Sequence, residues 1–297
     1  MSIVCISNLK GGVGKSSLSV NTAHALTRRG CEVLLVDIDP QNATSMLLNH
    51  SSSIEANERA SSTGDSLLDT CLDQISYARP GLSILSLGSL IARLPMEPDS
   101  EEARVFGKLL QELSFNYDFL LVDTPPYWCG ALAATLAVSS LGLVPIDPSI
   151  LAVEAAIELL KRNTQHTDLQ WMLQRTLVNR QAKRVSRIAT EHLEQSFHPQ
   201  IDTESGQDEQ PKKISLQGVS CWEPGGLQLF LSRIAIPRSE QVHRLGFSGK
   251  TLFDTREIPL IREGYEICAR QIEALLACQD EHTEEPENDF LAAFASF

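Results

Sequence analysis

The sequence predicts a doubly wound α/β domain, a mostly parallel sheet with helices on both faces, and three stretches carry that prediction. Ile3, Val4 and Ile6 form an apolar, β-branched run that passes through a glycine-rich loop into Leu18 to Leu26, apolar at helical spacing. Residues 32–37 (E-V-L-L-V-D) and 119–123 (F-L-L-V-D) are two more apolar runs, each ending in a carboxylate. Runs without polar alternation belong to strands buried on both faces, as in a parallel sheet between two helical layers. Carboxylates at the C-terminal ends of such strands face the crevice where ligands sit.

The loop is Lys10-Gly11-Gly12-Val13-Gly14-Lys15-Ser16-Ser17. Gly11, Gly12 and Gly14 let backbone N–H groups turn inward with no Cβ in the way, and the following helix N-terminus adds partial positive charge at the same point. That is the chemistry of phosphate binding, with Lys15 reaching the β- and γ-phosphates and the Ser16 hydroxyl taking one Mg²⁺ position. The usual phosphate loop has Gly five residues before its final Gly; here that position is Leu9, and Lys10 is an extra lysine. In these residues the chain resembles the deviant Walker A ATPases, the family of ParA, MinD and their relatives. The resemblance implies a P-loop NTPase fold of the deviant Walker A type and ATP as the ligand. It also implies that Lys10 crosses a dimer interface to touch the partner subunit's ATP phosphates, acting in trans like an arginine finger.

The remaining elements follow in order. Asp37-Ile38-Asp39-Pro40-Gln41 matches the family's second nucleotide motif, which assigns Asp39 to the attacking water; the alternative is a turn-capping Asp before Pro. Residues 49–64 are polar and serine-rich, a surface loop or a mobile segment. Residues 65–75 read as a helix with Leu67, Leu68, Cys71 and Leu72 on one face, residues 82–87 as a strand and residues 101–113 as an amphipathic helix. The run ending in Asp123 continues as Thr124-Pro125-Pro126, the family's Walker B wording. It delivers Asp123 to the Mg²⁺ shell, through water, and makes Thr124 to Tyr127 the switch that senses the γ-phosphate. The resemblance thus gives Lys10, Lys15 and Asp39 as catalytic residues, Gly11 to Ser17 as nucleotide-binding, and Ser16 and Asp123 as metal-binding. Iron-sulfur relatives place a cluster-ligating Cys near Cys129, but the upstream candidate partner, Cys71, falls on an apolar helix face, which disfavours a cluster.

Residues 141–147 form the next strand, 149–162 a helix, and 168–179 include another strand with Asn179 at its end. By resemblance Asn179, Pro237 and Arg238 bind the nucleotide on its adenine side. Arg175, Arg180, Lys183, Arg184 and Arg187 form the most basic stretch of the chain, and on a helix from residue 181 the last three share a face. In ParA-type members this helix and the C-terminal segment bind DNA phosphates without reading sequence, which implies Lys183, Arg184, Arg187, Arg244, Lys250 and Arg256 here; the alternative is a solvated helix face. Residues 198–227 are longer and more polar than the family's connection and read as an insertion, either partner-specific or a tolerated surface loop. A strand over 229–236 and a helix over 258–278 close an ATPase domain of residues 1–279. Residues 280–297 are an acidic spacer followed by an apolar end with Phe290, Leu291, Phe294 and Phe297 on one helical face, read as a docking peptide or a frayed end.

Composition bounds the function. The chain has 297 residues, 42% of them apolar, and a net charge of −13, so DNA contact has to come from a local basic patch. No apolar run reaches about 18 residues and no charged-then-apolar leader opens the chain, so a cytoplasmic protein is expected. Seven cysteines without a C-x-x-C pair suggest reduced core residues. By resemblance, the chain is a partition ATPase that dimerises with ATP and Mg²⁺, holds nucleoid DNA non-specifically, and hydrolyses ATP slowly unless a ParB-like adaptor stimulates it. Its cargo is a plasmid, a chromosome or another intracellular body. The alternative is a MinD- or FlhG-like spatial regulator cycling on a membrane or protein scaffold. MinD relatives end in a basic amphipathic helix, whereas this end has no Lys or Arg, so no membrane partner is expected.

Overall fold

The three apolar runs become neighbours in the middle of one sheet. The structure, a computed structural model, describes residues 1–50, 64–93, 97–163, 169–177, 192, 215–216, 219–222, 228–256 and 258–281. In chain order the elements begin β1 (Ser2–Ile6), α1 (Lys15–Thr27), β2 (Val33–Asp37), α2 (Ala43–Leu47), α3 (Gly64–Gln74), β3 (Ser76–Arg79), β4 (Leu82–Ser86), α4 (Gly88–Arg93), α5 (Glu101–Ser114) and β5 (Phe119–Asp123). They continue α6 (Gly130–Val138), β6 (Leu141–Ile146), α7 (Ile150–Arg162), β7 (Gln170–Leu177), β8 (Ser215–Leu216), β9 (Val219–Trp222), β10 (Leu229–Pro237), α8 (Glu240–Phe247), a 3₁₀ turn (Leu252–Asp254) and α9 (Pro259–Glu281).

The strand order is β3-β4-β2-β5-β1-β6-β7-β10-β9-β8. The strands from β4 to β10 in that order are parallel, and β3 on one edge and the β9–β8 pair on the other are antiparallel. The chain winds outward from β1 through β2 to β4, returns in β5 beside β1, and then crosses to β6, β7 and β10 on the far side. The C-terminal end of β1 is therefore the topological switch point, where ligand crevices open in folds of this kind.

Strand alternation distributes the core. In β5, Leu121 faces the layer of α1 and α9, packing in one cluster with Val4, Ile6, Leu18, Leu26 and Ile272. Leu120 and Val122 point the other way, toward Phe106 and Leu110 of α5 and Ala131 of α6. A third cluster sets Cys5, Val144, Trp171 and Leu173 under Leu132 of α6 and Val153 and Leu160 of α7. Each fully buried Leu in these layers contributes roughly 1.5–3 kcal/mol relative to an exposed one.

Where structure and sequence reading differ, local pattern is the reason. Helix α6 (G-A-L-A-A-T-L-A-V) is wedged between the sheet and α5 with most of its residues buried, so it has no polar face and no helical period to detect. Cys71 of α3 is fully buried, but Leu72, assigned by spacing to the same face, is 42% exposed. Part of the stretch read as an insertion is sheet: β8 and β9 lie within 198–227 and pair onto β10, whose outer backbone groups would otherwise lack partners. Among the described residues no helix is long and apolar enough to cross a membrane. Cys5, Cys31, Cys71, Cys129 and Cys268 are free, with Cys5, Cys71 and Cys268 buried and Cys31 and Cys129 half-buried.

This layering predicts that Leu26→Ala, at a side chain with 0% exposure between α1 and the sheet, costs about 2–5 kcal/mol of unfolding free energy. Leu72→Ala costs less than about 1 kcal/mol, and urea denaturation of the two variants measures the contrast.

Candidate nucleotide site

The glycine loop leaves β1 at the switch point and enters α1 at Lys15. Gly12 (φ 75°) and Gly14 (φ 98°) are in the left-handed region, which an L side chain adopts only under strain. Gly14 is also the N-cap of α1, with no side-chain cap and no acidic residue in the first turn. The amides and the positive end of the helix are thus left to an anion. Val13 is buried beneath the loop while Gly11 is exposed on it, and Ser16 and Ser17 are half-buried at the helix start. Lys15 is only 7% exposed, its ammonium donating to the Lys10 carbonyl at 3.3 Å. Burial holds its pKa below the usual lysine value, while Asp123 and Asp39 pull the other way.

Two carboxylates end the neighbouring strands β2 and β5. Asp37 and Asp123 are register partners at the ends of β2 and β5, both with 0% exposure. Asp37 organises the next turn: Oδ1 accepts the Asp39 N–H at 3.0 Å, and Oδ2 accepts the Thr44 N–H at 3.0 Å and the Thr44 hydroxyl. Burial pushes its pKa up to about 6 against those hydrogen bonds. Asp123 Oδ1 accepts the Ser19 hydroxyl at 2.9 Å, whereas its buried Oδ2 has no hydrogen-bond partner. Burial and the adjacent Asp37 push the Asp123 carboxyl up to about 7, while the Ser16 and Ser19 hydroxyls and Lys15 hold it down. An unpartnered buried carboxylate oxygen beside the Ser16 hydroxyl is a hard-oxygen donor set that fits Mg²⁺ or a water bound to it. Asp39 is 8% exposed, and its Oδ1 accepts the Gln41 N–H at 2.9 Å, so one oxygen caps the turn before any other task.

Lys10 stands at the rim. Its ammonium donates to Asp147 Oδ2 and to Ser149 Oγ, each at 2.8 Å. Ser149 in turn donates to Asp147 Oδ1 and caps α7 by accepting the Ala152 N–H at 3.3 Å. Burial raises the Asp147 pKa, but the Lys10 ammonium and the Ser149 donors outweigh it and hold the carboxyl below the usual range.

The other sequence-derived residues divide in two. Pro237 and Arg238 are exposed where β10 ends, three strand positions from β1 and roughly 14 Å across the sheet. Arg244, Lys250 and Arg256 are exposed on and after α8. Asn179, Lys183, Arg184 and Arg187 lie outside the described residues. Arg175, grouped by sequence with the basic stretch, turns inward along the sheet instead, its Nε donating to the Ser232 carbonyl at 3.0 Å.

Sequence reasoning missed Ser19, Asp147, Ser149, Asn8 and Gly88. Gly88 packs so closely under the Asp39 turn that a Cβ there would meet the Asp39 carbonyl oxygen at 2.1 Å. Nothing in the sequence links residues 88 and 39. Asp147 had a signal, a carboxylate ending an apolar strand like Asp37 and Asp123.

This geometry defines a P-loop nucleotide-binding α/β fold, and the comparisons with known proteins agree. A family described as an AAA domain matches residues 1–174, more than half of the chain, and the chain belongs to it, as a member of the ParA/MinD-type ATPases. The sporulation initiation inhibitor protein Soj of Bacillus subtilis is 33% identical over 166 residues, covering 53% of this chain and 63% of Soj. Plasmid partition protein A of Escherichia coli is 26% identical over 183 residues, covering 54% of this chain and 46% of that protein. The chain therefore spans about half the length of these curated relatives. Among solved structures, McdA of Cyanothece superposes with a TM-score of 0.63 at 18% identity, covering 90% of this chain and 97% of McdA, a likeness of fold.

The buried carboxylates set a pH dependence. A carboxyl raised from 3.8 to about 7 by folding favours the folded state below its unfolded pKa and loses that contribution as pH rises through the folded one. Without nucleotide or divalent ion, Asp123→Asn is therefore expected to melt above wild type at pH 8, by several degrees. The gap closes toward pH 4, and thermal denaturation across that range measures it.

Proposed function

We propose that this chain is an ATP-dependent positioning ATPase: ATP and Mg²⁺ bring two copies together, the dimer holds DNA without sequence preference, and hydrolysis releases it. The observation that carries this reading is Lys10, an extra loop lysine whose ammonium lies on Asp147 and Ser149 at the rim and not on a group of its own loop. Family membership and the names of the partition relatives support it.

In this reading the amides of residues 11–16 cradle the phosphates and Lys15 neutralises them. Ser16 and Asp123 hold Mg²⁺, which when bound supplies positive charge at the β- and γ-phosphate oxygens. Asp39 orients the attacking water with the oxygen that Gln41 does not occupy. Lys10 exchanges the Asp147 carboxylate for the phosphates of the second copy, completing that site. Positioning and charge neutralisation are what phosphoryl transfer to water requires. Intrinsic turnover is slow and a ParB-like adaptor accelerates it. Pro237, Arg238 and Asn179 bind on the adenine side, and Arg244, Lys250 and Arg256, with Lys183, Arg184 and Arg187, meet DNA phosphates. A cytoplasmic protein that joins the nucleoid in its ATP state follows.

Light scattering with a saturating non-hydrolysable ATP analogue tests the core of the proposal. Wild type is expected to dimerise and Lys10→Gln to dimerise at least about tenfold more weakly; a wild-type monomer under these conditions refutes the proposal. Asp147→Ala, which frees Lys10 from a half-buried ion pair, is expected to tighten ATP-dependent self-association by roughly twofold to tenfold.

DNA retention is expected with ATP and not with ADP. In a salt titration, Arg244→Glu with Lys250→Glu is expected to weaken retention and flatten its salt dependence by about two phosphate contacts. Retention indifferent to nucleotide would remove the DNA arm of the proposal.

A further inference from the structure

Asn8 is fully buried between the glycine loop and the start of α7. Its Oδ1 accepts the Lys10 backbone N–H at 2.8 Å, and its Nδ2 donates to the Pro145 carbonyl at 2.9 Å and the Ala152 carbonyl at 3.3 Å. The amide orientation is fixed by this network, since two carbonyls demand the NH₂ end and one N–H demands the oxygen. Ala152 is held twice: its carbonyl by Asn8 and its N–H by Ser149, the same hydroxyl that receives the Lys10 ammonium. The backbone of Lys10 and the tip of its side chain are thus both referred to one residue in the first turn of α7.

We propose that Asn8 is the positioning residue for Lys10: it pins the Lys10 backbone to α7 and the end of β6, so that only the side chain changes partner when Lys10 acts on the second copy. This rests on the reading of Lys10 given above. A lysine reaches a neighbouring molecule through four flexible methylenes, and a loop backbone free to shift would spread its ammonium over many positions. Fixing the backbone confines that search, and a buried amide with every polar atom satisfied fixes it firmly.

The test is a double-mutant cycle of Asn8→Ala and Lys10→Gln, reading ADP affinity and analogue-dependent dimerisation separately. Asn8→Ala is expected to bind ADP within about threefold of wild type, because the phosphate cradle is intact, and to weaken dimerisation about tenfold or more. Adding it to Lys10→Gln is expected to cost nothing further, since both act through one ammonium. If Asn8→Ala fails to bind ADP or to fold, Asn8→Ser replaces it, keeping a small polar group but losing the reach to Pro145 and Ala152. Unchanged dimerisation in an Asn8 variant that folds, or losses that multiply with Lys10→Gln, overturns the proposal for Asn8 alone. Lys10→Gln without effect overturns the trans role of Lys10, and the role of Asn8 with it.

Discussion

Asp37 and Asp123 end neighbouring strands with no solvent to share their charge, and the rest of the site is arranged around that burden. Burial pushes both carboxyls above the usual carboxylate range. Asp37 answers with hydrogen bonds from Thr44 and the Asp39 amide, which turn its cost into a fixed geometry for the following loop. Asp123 is answered only in part: Ser19 takes one oxygen, and the other has no partner. A buried carboxylate half satisfied beside a buried lysine and an uncapped helix N-terminus is poor for stability and well suited to a cation and a polyphosphate arriving together.

The rim follows a different rule. Lys10 and Asp147 keep partial contact with solvent, with side-chain exposures of 27% and 12%, so their ion pair is strong enough to hold a long side chain and weak enough to exchange. The hydroxyl of Ser149 links that pair to the first turn of α7, while Asn8 links the Lys10 backbone to the same turn. Buried groups give the centre its rigidity, and half-buried groups give the edge an alternative partner. Ser19, Asn8, Ser149 and Gly88 touch no phosphate in the proposed chemistry, yet they position the residues that do.

Much of the centre was legible along the chain because it is local. The glycine loop, the strand before it and the helix after it are contiguous, so spacing and residue type determine the turn, its left-handed positions and the uncapped helix end. The apolar runs ending in Asp37 and Asp123 could be read as buried strands for the same reason: a strand covered on both faces has no alternative pattern. Helix α6 escaped because burial of most of its residues erases its period, and the β8–β9 pair because strands of two and four residues give no period to read until β10 supplies a partner.

The sequence by itself determined the glycine loop, the buried strands that end in Asp37 and Asp123, and the kinds of charged group brought to the crevice. Only tertiary structure decided that Asp37 would lie against Asp123, that Asp147 and Ser149 would receive Lys10 from more than a hundred residues away, and that Gly88 would floor the Asp39 turn. The reason is reach: backbone conformation and periodicity act over a few residues, whereas desolvation and ion pairing depend on which strands the sheet sets side by side.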